Sequence, residues 1–156
     1  MSYENSYPHN ACATAFQKLE EAGENSEALD EPYRTIVRIC SAQGIIDNGG
    51  LIYFFEADWP GNPPYSIFSD AFRRIGRVES AEAIEFAANS FGISFPERDK
   101  DFRNKFMELQ FGTWDAAGVW IEGEWAIEWD DCICGDEEVW NYLTAWLRDN
   151  FPDTLG

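Results

Sequence analysis

The sequence predicts one mainly α-helical domain, a multi-helix bundle with a small β-hairpin near residues 119–129. Three observations carry this. Apolar residues recur at i, i+3, i+4 and i+7 in several separate segments. Glycine, proline and asparagine clusters punctuate those segments at helix-length intervals. Finally, 45% of the 156 residues are apolar and 16% aromatic, with seven tryptophans, enough for a real core and far too greasy for an acidic disordered tail. Residues 1–156 form the single domain, with 1–10 expected to fray.

The first helix runs from Ala11 to Gly23, with Ala15, Phe16 and Leu19 on one side and a glycine suited to the position after the last turn. Asp30 is the expected cap of the second, with Pro32 in its first turn and Ile36, Val37 and Cys40 leading towards Ile45. Asn48-Gly49-Gly50 then reads as a turn needing positive φ, ahead of a short apolar helix from Leu51 to Ala57. Trp59-Pro60-Gly61-Asn62-Pro63-Pro64 is a loop. Ser66 and Ser80 are expected to cap two further helices, with stripes Phe68, Ala71, Phe72, Ile75 and Ile84, Ala87, Ala88, Phe91, forming an αα-hairpin joined at 76–79. Another helix spans about Arg98 to Leu109 on Phe102, Phe106 and Leu109.

In the stretch 113–134, Val119, Ile121, Trp125, Ile127 and Trp129 alternate with Glu122, Glu124, Glu128 and Asp130. That period of two predicts a strand or hairpin turning near Gly123, with a short irregular helix as the alternative. The chain closes with a helix from Asp136 to Asn150, whose first-turn acids suit the positive end of the helix dipole and whose buried stripe is Val139, Leu143, Trp146 and Leu147.

Charge is the strongest functional signal. The net charge is −18, and it is unevenly placed. Residues 1–31 hold seven acids against Lys18, and 108–156 hold twelve against Arg148, whereas the centre is nearly balanced. Such a field repels nucleic acid and membrane headgroups, attracts basic proteins, and predicts a fold that gains stability with added salt. No apolar run approaches a membrane span, and a cytoplasmic protein with reduced cysteines is expected. Cys12 and Cys40 read as buried thiols on helix faces.

Chemistry finds little footing. Cys132-x-Cys134 is too closely spaced for structural zinc, and the sole histidine, His9, lies far off near the N-terminus. There is no nucleophile elbow, no phosphate-binding glycine loop and no EF-hand pattern. Arg73, Arg74 and Arg77 gather at a helix C-terminus, where ion pairing and dipole compensation explain them better than phosphate binding. The sequence therefore predicts no catalytic residue, no metal and no cofactor, and a non-enzymatic role. The alternative of another class is an enzyme using paired carboxylates, with a divalent metal assisting.

The segment Ile46-Asp47-Asn48-Gly49-Gly50-Leu51-Ile52-Tyr53-Phe54-Phe55, followed by Ala71-Phe72-Arg73-Arg74-Ile75-Gly76, resembles a bacterial family of small acidic helical proteins that includes a DNA mimic. The likeness covers about residues 32–110. It implies a mostly α-helical fold, with Asn48, Gly49 and Gly50 as structural signature residues. For the DNA-mimic member it implies homodimers whose carboxylates stand in for phosphates and occupy a DNA-binding transcription factor.

Together these readings predict an acidic protein-binding or regulatory module that engages a basic, nucleic-acid-binding protein. An immunity-type inhibitor of a basic nuclease toxin is the second reading of the same charge. The expected contact surface is Glu122, Glu124, Glu128, Asp130, Asp131, Asp136, Glu137 and Glu138, with Trp120 and Trp125 as apolar anchors.

Overall fold

The computed structural model describes residues 7–156. Its elements are α1 (His9–Glu21), α2 (Tyr33–Glu56), α3 (Ser66–Arg74), α4 (Val78–Ser90), α5 (Lys100–Phe111), β1 (Thr113–Trp114), β2 (Trp120–Ile121) and α6 (Glu138–Asn150), with short 3-10 turns between and after them. The bundle with one small hairpin is the architecture the periodicities imply. Fraying expected over 1–10 falls, for residues 1–6, outside the described residues; from His9 onward the chain is helical.

Helix α2 is the central element. Ile36, Val37, Ile39, Ala42 and Ile46 on its first half, and Leu51, Phe54 and Phe55 on its second, are all buried. The two halves are not collinear. Gly49 and Gly50 leave the helical region, with φ at −165° and +73°. The turn read from Asn48-Gly49-Gly50 is thus a sharp break within one element. At Gly50 a side chain would be strained, and a Cβ on Gly49 would stand 2.2 Å from Cγ of Tyr53.

Rings cluster on the second half. Phe54 lies edge-on to Phe68 at 5.2 Å, and Phe55 meets Tyr65 at 4.8 Å and Phe91 at 5.2 Å. The α3–α4 hairpin supplies Phe68, Ala71, Phe72, Ile84, Ala87 and Phe91 to this core as its spacing implies. On the other side α1 packs through Ala11, Cys12 and Ala15, while Phe16 remains 40% exposed. Cys12 and Cys40 are buried, with their sulfurs 3.4 Å apart.

Several local expectations need correction. Helix α2 begins at Tyr33 after Pro32, not at a capping Asp30. Ser66 is the first residue of α3, and Ser80 lies buried inside α4, which starts at Val78, so neither serine caps. Helix α5 is rotated from its expected face: Arg103, Met107, Gln110 and Phe111 are buried, while Leu109 is 55% exposed. The cause is Arg103, whose guanidinium reaches inward to the carbonyls of Phe55 (2.9 Å) and Pro96 (2.8 Å). A cation at the end of α2 compensates its last carbonyls. A hydropathy pattern places every arginine outside, and so misassigns the face.

The hairpin also sits earlier than expected. Thr113 pairs with Ile121 and Trp114 with Trp120, antiparallel. The turn is set by Asp115, whose Oδ1 accepts from the backbone of Ala117 and Val119, both at 2.9 Å. Gly123 is no turn. The chain there lies against the end of α5, where Glu124 and Trp125 donate backbone N–H bonds to the carbonyls of Leu109 and Gln110. A Cβ on Gly123 would come within 2.4 Å of the Gln110 carbonyl, so only glycine permits this approach. The period-two pattern thus arises in an extended segment pinned to a helix terminus.

One tryptophan of that stretch enters the core. Trp129 packs 4.7 Å from Phe111 and 5.2 Å from Phe55, and its indole N–H donates to Ser90 Oγ at 2.9 Å. Trp129→Ala should therefore cost about 3–5 kcal/mol in urea unfolding, whereas Trp114→Ala, at a residue 67% exposed, should stay within about 0.5 kcal/mol.

Candidate functional site

Bases and acids meet different fates in this fold. Arg34 and Arg74 pair with Glu31, Arg38 with Glu27, Arg73 with Glu85 and Lys100 with Asp58. Arg103 is buried among carbonyls. Lys18 lies over the Tyr33 ring and Arg98 over Phe95. The arginine cluster of α3 is accordingly an ion-pair cluster, as its position at a helix C-terminus suggests. Of the twelve acids after residue 107, only Asp136 joins an ion pair among the described residues. The excess negative charge of that segment faces water.

The predicted contact residues divide three ways. Glu122, Glu124, Glu128, Asp130 and Asp131 follow one another along the exposed chain between β2 and the turn at 131–133. Glu137 and Glu138 are exposed at the start of α6. Asp136 points inward: its Oδ2 accepts from Arg77 Nε at 2.7 Å, its Oδ1 accepts from the Glu138 backbone at 3.1 Å, and its side chain is only 7% exposed. It ties α6 to the end of the α3–α4 hairpin, and its charge is spent there.

Little regular structure supports the exposed acids, yet the carboxylates of Glu122 and Asp130 are held by hydrogen bonds. Glu122 is clasped by two indoles, with Oε1 accepting from Trp120 Nε1 (3.0 Å) and Oε2 from Trp125 Nε1 (2.9 Å). Trp125 adopts φ +51°, an unusual angle for a non-glycine residue, and lies edge-on to Phe111 at 5.6 Å. Asp130 Oδ1 accepts from the Cys132 backbone at 2.9 Å. The 131–135 turn is bound to α2, with Gln43 donating to the Ile133 carbonyl (2.8 Å) and Asp47 accepting from Gly135 N (2.8 Å). Trp120 and Trp125 are 40% and 59% exposed, so both expected anchors present surface to solvent.

A cleft of about 700 Å³ opens beside these acids, where the Gly49–Gly50 break meets the segment 125–134. Asp47, Phe111, Trp125, Glu128, Trp129 and Asp131 contribute to its lining. Sequence reasoning missed Asp47 and Phe111 as site residues. The signal for Asp47 was its place in the Asp47-Asn48-Gly49-Gly50 turn, two positions before the glycine pair; Phe111 carried none. Cys132 is exposed, but desolvation and the adjoining Asp130 push its thiol up to about 11, a poor thiolate at neutral pH.

A mainly α-helical fold with one two-stranded hairpin and an exposed acidic, tryptophan-bearing segment defines a small acidic helical protein. The chain belongs to the DMP19-like protein family, whose model matches residues 27–150. That match reaches beyond the 32–110 motif region to cover the tryptophan-rich stretch and α6, and leaves α1 outside. Neither curated proteins nor solved structures provide a match to the chain. No helix among the described residues is long and apolar enough to cross a membrane.

Two substitutions test the assigned geometry. Asp136→Ala should cost about 1–3 kcal/mol in urea unfolding because it leaves the mostly buried Arg77 only the longer contact to Glu79 (3.6 Å) and the Tyr142 ring, while Glu137→Ala should stay within about 0.5 kcal/mol. Glu122→Ala should move the indole N–H resonances of Trp120 and Trp125 together and leave that of Trp129, bonded to Ser90, in place.

Proposed function

We propose that this protein is a non-enzymatic, acidic binding module that occupies the nucleic-acid-binding surface of a basic protein, in the manner of a DNA mimic. The observation that carries the reading is the segregation of charge. Nine of the eleven basic side chains are taken up by ion pairs, rings and carbonyls, while Glu122, Glu124, Glu128, Asp130 and Asp131 follow one another on an exposed, internally hydrogen-bonded segment. A nucleic-acid-binding protein gains most of its non-specific affinity by replacing condensed counterions with its own lysines and arginines. Exposed carboxylates, two of them fixed by hydrogen bonds, offer those groups the same exchange. Family membership supports the fold on which this surface is built.

Immobilised protein, charged with native lysate at low salt, should retain a basic protein that elutes well below about 300 mM salt and is displaced by duplex DNA. Simultaneous reversal of Glu122, Glu124, Glu128, Asp130 and Asp131 to lysine should weaken that interaction at least about tenfold. Retention indifferent to salt and to charge reversal would overturn the proposal. A nuclease as the retained protein would make the chain an immunity-type inhibitor.

A further inference from the structure

The cleft at the α2 break is more than an extension of the acidic face. Its lining combines the rings of Phe111, Trp125 and Trp129 with the carboxylates of Asp47, Glu128 and Asp131, and no lysine or arginine borders it. None of the three carboxylates takes part in an ion pair among the described residues. Asp131 extends over Gly50, where its Oδ1 lies 3.6 Å from the position a Cβ would take, so the missing side chain keeps the floor open. Behind Asp47, Gln43 is fully buried; its amide group donates to Asp47 Oδ1 and to the Ile133 carbonyl, and its Oε1 has no hydrogen-bond partner. Gln43 does not line the cleft itself, but its amide holds Asp47 in place at the cleft's edge.

We infer that the cleft receives an arginine side chain of the basic partner, an inference that rests on the function proposed above. Among the described residues no three acidic, histidine or cysteine groups converge as a metal ion requires, so the negative charge is spread rather than focused. A spread set of acceptors beside aromatic faces fits a cation that is itself extended. Guanidinium is planar, carries five donors in a fixed fork, is weakly hydrated and stacks on rings, whereas a lysine ammonium is a compact and strongly hydrated point charge. The space also accommodates the aliphatic stem. Nucleic acid presents phosphates but no such cage. The cleft would therefore add partner selection that carboxylate spacing alone lacks.

The test uses the full chain with L-argininamide as probe, followed through the indole N–H resonances at constant ionic strength. Saturable shifts at Trp125 and Trp129, with dissociation in the millimolar range, are expected from argininamide and not from the neutral isostere L-citrullinamide. The double substitution Glu128→Gln with Asp131→Asn should weaken binding at least about tenfold, while Glu20→Gln with Glu21→Gln, exposed on α1 and outside the cleft, should leave it unchanged. Equal shifts from citrullinamide, equal affinity for L-lysinamide, or no saturable shift up to about 50 mM would overturn the inference. Should argininamide fail while salt-sensitive retention of a basic protein persists, only the cleft assignment falls. Should retention fail while argininamide binds, the acidic-face function falls and a guanidinium site stands.

Discussion

Helix α2 must change direction at Gly49 and Gly50, and most of the molecule is arranged around that constraint. Its first half carries the aliphatic wall that meets α1 and the two side chains, Gln43 and Asp47, that hold the 131–135 turn. Its second half carries Phe54 and Phe55 into the ring cluster shared with α3, α4 and Trp129. A straight helix would present one continuous stripe and could serve only one of these surfaces. The break lets a single element serve both, and residues 47–52 around it line the cleft. Glycine is required twice over, at Gly50 by the backbone angle and at Gly49 by the Tyr53 ring.

Charge follows the same division of labour. Near the core, cations close ion pairs between elements: Arg77 with Asp136, Arg38 with Glu27, Arg74 with Glu31. Partly buried pairs of this kind fix how elements meet more than they add net stability. Between β2 and the turn at 131–133 the acids have no such partners among the described residues, and the segment is fixed instead by backbone bonds to the end of α5 and by indole N–H groups. The protein keeps its order and its field in separate sets of residues.

The helical architecture was legible because hydrophobic periodicity reports which face is buried, and α3, α4 and α6 obey it closely. The break at Asn48-Gly49-Gly50 was legible as turn chemistry. What failed was local context. Arg103 turned α5 because its partners are carbonyls distant in sequence, which no pattern of types reveals. The hairpin turn was misplaced because Gly123 looks like a turn glycine, whereas it is small to admit the Gln110 carbonyl, and Asp115 looks like one more acid. Of the surface set, Asp136 was indistinguishable from its neighbours until Arg77, 59 positions away, was seen beside it. The cleft was the least legible feature, since Asp47, Phe111 and Glu128 come together only through the fold.

Two indoles grip Glu122, and this has a thermodynamic consequence. A free glutamate surrenders rotamer entropy worth up to roughly 1.5–2 kcal/mol when it is immobilised. Here that freedom is lost on folding, with both carboxylate oxygens already oriented by Trp120 and Trp125. Four lone-pair positions on a carboxylate leave room for further donors beyond the two indoles. Any group that approaches this oxyanion therefore finds it already aimed, and the encounter has little of that side-chain disorder left to remove.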